Sequence, residues 1–152
     1  MSGLRSTQTE SQGLDPAVLK ALRNLLPPER VSDEPVDLLT YAYDATRKLY
    51  PPQVVLWPES AQEIAAVLRL ASERGIPVYP RGGGTGLTGG SLATRGGIAL
   101  SLERMTAIRS VEKLNRLVTA QAGVPLGELK SILQKQGLFY PPDPSSAKTA
   151  TL

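Results

Sequence analysis

Apolar side chains recur along this chain in helical stripes and short runs. Val18, Leu22 and Leu25, widened by Leu19 and Leu26, predict a first helix. Asp15 caps it, Pro16 occupies its first turn and Pro27-Pro28 stops it. Val31 to Asp37 reads as a polar connection, and one helical turn is expected within Asp37–Ala42. Val54-Val55-Leu56-Trp57 is a short apolar run, read as a buried strand and ended by Pro58. Ser60 with Glu63 is a capping-box pattern, and Ile64, Val67, Leu68 and Ala71 fall on one helical face behind it. Arg74 suits the negative end of that helix and Gly75 the position just past it. Ile76–Tyr79 is then a second strand. Ile98–Leu102 alternates and should pair with a neighbour. Ile108–Val111 and Leu117–Ala120 flank a polar turn as a β-hairpin. Gly123-Val124-Pro125 opens a last helix with Leu126, Leu129, Ile132 and Leu133 inward; Gly137 ends it, and Leu138–Tyr140 reads as a closing strand. Strand, helix, Gly, strand and Pro therefore occur twice, from Val54 to Pro80 and from Val118 to Pro141. The pattern predicts an α/β (α+β) fold.

Between the second and third strands lies Pro80-Arg81-Gly82-Gly83-Gly84-Thr85-Gly86-Leu87-Thr88-Gly89-Gly90-Ser91, in which six of twelve residues are glycine. Bare backbone amides turned inward form an anion-binding concavity. Arg81 adds a positive charge, expected at the entrance, and Thr85, Thr88 and Ser91 add hydroxyl donors. No Asp or Glu lies between Glu73 and Glu103, so nothing there repels a phosphate. A glycine loop at the carboxyl end of a buried strand is where open α/β sheets place ligands; a plain flexible loop is the alternative. The Walker pattern fails because the loop has no lysine. G-x-G-x-x-G is matched by Gly84, Gly86 and Gly89, but it should open a helix, and Gly96-Gly97 would break one. A Rossmann domain is therefore not expected.

Composition adds mainly exclusions. With 41% hydrophobic residues, 152 residues suffice for one globular domain. A net charge of +3, with no basic cluster interleaved with aromatics, gives no case for nucleic acid. Without cysteine there is no disulfide, and without histidine no histidine-based triad or histidine metal ligand within this chain. No apolar run reaches the ~18 residues of a membrane span. Met1–Gly13 is polar, lacks the features of a targeting peptide and should be a disordered tail.

Four stretches, in order, carry a resemblance. Arg81 to Gly90 after Val78-Tyr79-Pro80 resembles the FAD pyrophosphate loop of the FAD-linked oxidases, the fold of p-cresol methylhydroxylase and vanillyl-alcohol oxidase (PCMH type). Val55–Pro58 with Ser60 and Glu63 resembles that family's first strand and helix start. Gln121-Ala122-Gly123-Val124 followed by Leu129 resembles its next helix entry. Tyr140-Pro141-Pro142-Asp143-Pro144-Ser145-Ser146 is similar to a second flavin-contacting segment, most like the branch of the glycolate oxidase flavoprotein subunit and the D-lactate dehydrogenases. Tyr41, Asp44 and Thr46 also match a family segment ahead of the first strand, without an assigned catalytic role.

The resemblance implies two small subdomains with non-covalent FAD between them. Arg81, Gly82, Gly83, Gly84, Thr85 and Gly86 would hold the pyrophosphate, and Gly89 and Gly90 would turn the chain beneath it. Pro142, Asp143 and Ser146 would face the cofactor from the other side, though Asp143 also reads simply as a turn former. It implies a tail (1–13), an N-terminal helical segment (14–43) and an FAD domain (44–152) incomplete at its end. It implies oxidation of a 2-hydroxy acid such as glycolate or D-lactate by a longer protein, with no catalytic residue or metal site in this piece, which alone should be inactive. An iron–sulfur or other electron-transfer subunit is an expected partner, and the cytoplasm the expected location, with any membrane association through that partner. Two alternatives stay open: the FAD domain of another class, such as murein-precursor reductases or molybdenum hydroxylases, and a non-catalytic fragment that binds a nucleotide or a partner.

Overall fold

The structure, a computed structural model, describes residues 13–152; apart from Gly13, the expected tail lies outside the described residues. Helix α1 (Pro16–Leu25) starts as the sequence reads, with Asp15 Oδ1 accepting the Ala17 amide at 2.8 Å. Its buried stripe is Val18, Leu22 and Leu26, while Leu25 is 37% exposed. Leu26 leaves the helix in extended conformation and enters the core in place of Leu25.

The supposed polar connection contains a strand. After a 3-10 turn at Pro28–Arg30, β1 (Val31–Ser32) pairs antiparallel with β2 (Val54–Leu56). Two residues are too few to show a period of two, so sequence patterning could not find β1. Helix α2 (Pro35–Thr40) follows it.

Strand β2, helix α3 (Ala61–Glu73) and strand β3 (Val78–Arg81) form the predicted strand–helix–strand unit. Strand β4 (Ile98–Ser101) inserts between the two strands, parallel to both, giving the order β1-β2-β4-β3. Strand β3 begins later than Ile76 and runs through Pro80, which is tolerated because β3 is at an edge. All four residues of β4 are buried, because the sheet is covered on both faces. Ile98 and Leu100 join Val54, Leu56 and the stripes of α1 and α3; Ala99 joins Val55, Tyr41 and Trp57 opposite. On α3, Val67 and Ala71 are buried, Ile64 is partly so, and Leu68, expected inward, is 45% exposed.

A second core lies on the hairpin. Strands β5 (Ile108–Glu112) and β6 (Leu117–Ala120) pair antiparallel and support helix α4 (Leu126–Lys135) through Val124, Leu126, Leu129 and Leu133. Leu138–Tyr140 forms no strand: Leu138 and Tyr140 pack on this core, and Phe139 is exposed. The second strand–helix–strand copy is therefore not realised. Instead the chain returns beside α4, where the Leu126 amide donates to Ala150 O at 2.9 Å and the Leu152 amide to Val124 O at 3.2 Å. Among the described residues, no helix is long and apolar enough to cross a membrane.

Candidate functional site

The glycine loop leaves the carboxyl end of β3 and returns to the start of β4 without forming a helix. Its far end is fastened: the Arg95 amide donates to the Tyr79 hydroxyl (3.1 Å) and the Gly97 amide to Gln53 Oε1 (2.8 Å). Among the described residues, the amides of Gly82 to Gly86 donate to no protein acceptor. Unpaired backbone donors are costly unless water or a ligand takes them.

The glycines divide by what surrounds them. A Cβ on Gly82 would lie 1.9 Å from Thr151 Oγ1, and one on Gly83 would lie 2.0 Å from Thr149 O. These two residues are glycine because the segment from Thr149 to Thr151 lies against the loop. Gly86 and Gly90 have nothing within 4 Å on that side, so the loop is open there. Gly84, at φ +65°, takes the left-handed conformation that favours glycine. Gly89 is also left-handed, at φ +77°, and Thr85 is half-buried.

Arg81 was expected at the loop's entrance, and the structure places it behind. Paired with Ser101 at the end of the sheet, it is 8% exposed and points to the face shared by Ala99 and Tyr41. Its Nη1 donates to Tyr43 O at 2.6 Å, and its guanidinium carbon stands 5.2 Å from the centre of the Tyr41 ring. A Cβ on Gly84 would lie 2.4 Å from Nη2, so the guanidinium packs directly against that glycine.

The residues around Arg81 come from the Tyr-x-x-Asp-x-Thr segment. Asp44 is 4% exposed, and its Oδ1 accepts both the Thr46 hydroxyl (2.5 Å) and the Thr46 amide (2.9 Å). Burial pushes the Asp44 carboxyl up, but the two Thr46 hydrogen bonds and the Arg81 charge outweigh it and hold the group below its ordinary value. The Tyr41 hydroxyl donates to Glu103 Oε2 (2.6 Å) and accepts from Trp57 Nε1 (2.8 Å). Burial, and then the Glu103 hydrogen bond, push that phenol up, so it stays neutral. The sequence offered Tyr41, Asp44 and Thr46 as a pattern without a role; their link to Arg81 crosses from the N-terminal segment to β3.

The second expected wall is less closely assembled. Pro142 and Asp143 are exposed, and Asp143 Oδ1 pairs with Lys130 Nζ at 2.5 Å rather than with the loop. Ser146 contributes through its carbonyl, which accepts the amides of Thr149 (2.9 Å) and Ala150 (2.8 Å). This turn carries the chain from Pro144 to Thr149, where it meets Gly83. Two concavities lie elsewhere, one of about 600 Å³ beside α4 and one of about 210 Å³ between α1 and α3. Neither includes a loop residue. Among the described residues, no cluster of three acidic, His or Cys side chains could hold a metal ion.

The family described as FAD binding domain matches residues 52–152. The chain is 39% identical over 126 residues to the glycolate oxidase subunit GlcD of Bacillus subtilis, covering 82% of this chain and 27% of that protein. It is 43% identical over 117 residues to a D-lactate dehydrogenase of Archaeoglobus fulgidus (74% and 26% covered). It is 40% identical over 130 residues to a D-2-hydroxyglutarate dehydrogenase of Xanthomonas citri (85% and 27% covered). Among solved structures, an alkyldihydroxyacetonephosphate synthase matches with TM-score 0.82 at 23% identity, over 91% of this chain and 30% of that one. p-Cresol methylhydroxylase matches with TM-score 0.70 at 20% identity, over 80% and 25%. These structures show the PCMH-type fold. The chain spans 26% to 27% of the length of the three curated relatives.

Proposed function

The chain belongs to the FAD binding domain family, with FAD as its cofactor, and from that premise we propose that its glycine loop holds the FAD pyrophosphate in an enzyme oxidising a 2-hydroxy acid. The observation that carries the reading is the run of amides from Gly82 to Gly86 without protein acceptors. Charge-assisted bonds from such amides to phosphate oxygens are roughly twice as strong as neutral ones. The loop's open side, at Gly86 and Gly90, leaves room for the ligand. The absence of acidic residues from Arg74 to Leu102 keeps repulsion away.

In this reading residues 44–152 are the flavin-binding unit, and residues 14–43 pack on it. Arg81, Thr85 and Gly89 belong to the same loop. Pro142, Asp143 and Ser146 form the second wall; Asp143 exchanges Lys130 for a ligand hydroxyl, a solvent-screened pair that costs little to break. When bound, FAD supplies the two-electron acceptor for oxidation of the alcohol carbon. The residues of this chain bind and orient it. The curated relatives are named for glycolate, D-lactate and D-2-hydroxyglutarate. All three are 2-hydroxy carboxylates, so the substrate class, rather than one member of it, is assigned here. An electron-transfer subunit, iron–sulfur or other, and a cytoplasmic location belong to the same proposal.

The test is Gly86→Asp. Gly86 is not left-handed and has open space beside it, so the variant should keep its fold. Flavin absorbance of the purified protein should fall to background while the thermal midpoint stays. Flavin at unaltered stoichiometry would remove the loop from the binding site.

A further inference from the structure

Arg81 is the charged residue of the glycine loop, and its guanidinium is buried against Gly84, Tyr41 and the Tyr43 carbonyl rather than exposed to solvent. We propose that Arg81 serves the bound anion through the loop, as a buried cation beneath Gly84, and that Asp44 is the counter-charge that tempers it. This rests on the reading that the loop holds a pyrophosphate.

Three observations support it. The first is position: the guanidinium abuts Gly84, in the middle of the run of amides without acceptors. Only a residue without Cβ allows that approach, so the charge lies one backbone thickness from the loop's opposite side. The second is the way the charge is held. Arginine is always protonated in proteins, and its direct partners here are neutral, a carbonyl (Tyr43) and an aromatic face (Tyr41). Its Nε is buried without a hydrogen-bond partner, as is Oδ2 of Asp44. The two groups feel each other's charge without a direct ion pair among the described residues. A cation without a direct ion pair and shielded from water acts at longer range than one at the surface.

The third is that the two residues act on different balances. Asp44 stabilises a buried Arg81 in the folded chain, yet its negative charge also opposes an anion on the loop. Folding and anion binding should therefore respond to its removal with opposite signs. A segment that merely braced the loop would weaken both together.

The experiment measures FAD affinity, by quenching of flavin fluorescence on flavin-stripped protein, alongside the thermal midpoint. Asp44→Asn keeps the shape and the Thr46 acceptor; it should melt lower and bind FAD tighter, by roughly two- to tenfold. Arg81→Met, which removes the charge, should bind FAD at least about tenfold more weakly. FAD affinity in Asp44→Asn that is unchanged or weaker overturns the proposal, and this variant decides alone if Arg81→Met does not fold. Unchanged FAD affinity in a folded Arg81→Met overturns it too, since the buried charge would then not act on the anion. Failure of the underlying reading is separate: it shows as FAD retained by Gly86→Asp, whatever the other variants do.

Discussion

Glu63 shows how one side chain can satisfy a sequence pattern while doing something else. The capping-box reading has it return to the amide of Ser60. In the structure the Ser60 hydroxyl does accept the Glu63 amide, at 3.2 Å, but the carboxylate reaches the amide of Glu59 at 2.7 Å. Both of its oxygens also receive Arg30, at 2.9 Å each, and Arg30 is 8% exposed. Burial raises the Glu63 carboxyl, and the Glu59 amide and Arg30 more than offset that, so its folded value lies below the ordinary one. The sign follows: its stabilisation is complete above the ordinary glutamate value of about 4.3 and is lost as pH falls through the lower folded value. Asp44 acts in the same direction. Glu63→Gln should be less stable at neutral pH, because Arg30 keeps only the longer pair with Glu59 at 3.4 Å. Its denaturation midpoint should also fall less between pH 5 and pH 3 than that of the unaltered chain. Parallel acid limbs for the two proteins would rule out this role.

At the scale of elements, α3 is the part that propensity and capping specify most fully. Ser60 is its cap, Ile64, Val67 and Ala71 its inner stripe, and Gly75 follows it at φ +64°. Ser60→Ala removes one acceptor from the first turn and should cost about 1 kcal/mol of stability. Chemical denaturation should show this as a lower midpoint with an unchanged slope. An unchanged midpoint would mean that Glu63 and the Glu59 amide hold the helix start without the serine. Strand β3 has the opposite character: it contains Pro80 and a buried arginine. It is a strand because β4 offers it a parallel partner, and because as an edge it needs no donor at Pro80.

Beside the small cluster of Tyr41, Val55 and Ala99, the described residues form two larger cores linked at the glycine loop. One lies between the four-stranded sheet and helices α1 and α3; the other lies between α4 and the β5–β6 hairpin. The segment from Thr149 to Leu152 belongs to the second by its hydrogen bonds to Val124 and Leu126, and touches the first at Gly82 and Gly83. Gly83→Ala should therefore loosen that junction, since its Cβ meets backbone rather than a movable side chain. The amides of Leu126 and Leu152 should exchange hydrogen faster in this variant, while those of β2 and β4 should not change. Gly90→Ala, which meets nothing within 4 Å, is the control. Equal protection in both variants would show that the segment bears no load at the loop.

Local chemistry was enough to specify α1, α3, α4, the hairpin and the glycine loop, because caps, periods and glycines act over neighbouring residues. The glycines and hydroxyls that make the loop a candidate phosphate site were equally legible, since they are residue types within a dozen positions. Inward and outward assignments were less secure at the margins of a stripe. Leu26 displaced Leu25, and Leu68 faces out, because the neighbours that cover a helix come from elsewhere in the chain. Strand β1 and the insertion of β4 between β2 and β3 depend on pairing across tens of residues, which periodicity does not encode. The same holds for the site. That Arg81 lies behind its loop, held by Tyr41, Tyr43 and Asp44, follows from its register against Ser101 at the end of the sheet. An alternating strand sends successive side chains to opposite faces, and only the assembled sheet determines which face meets the ligand and which the core.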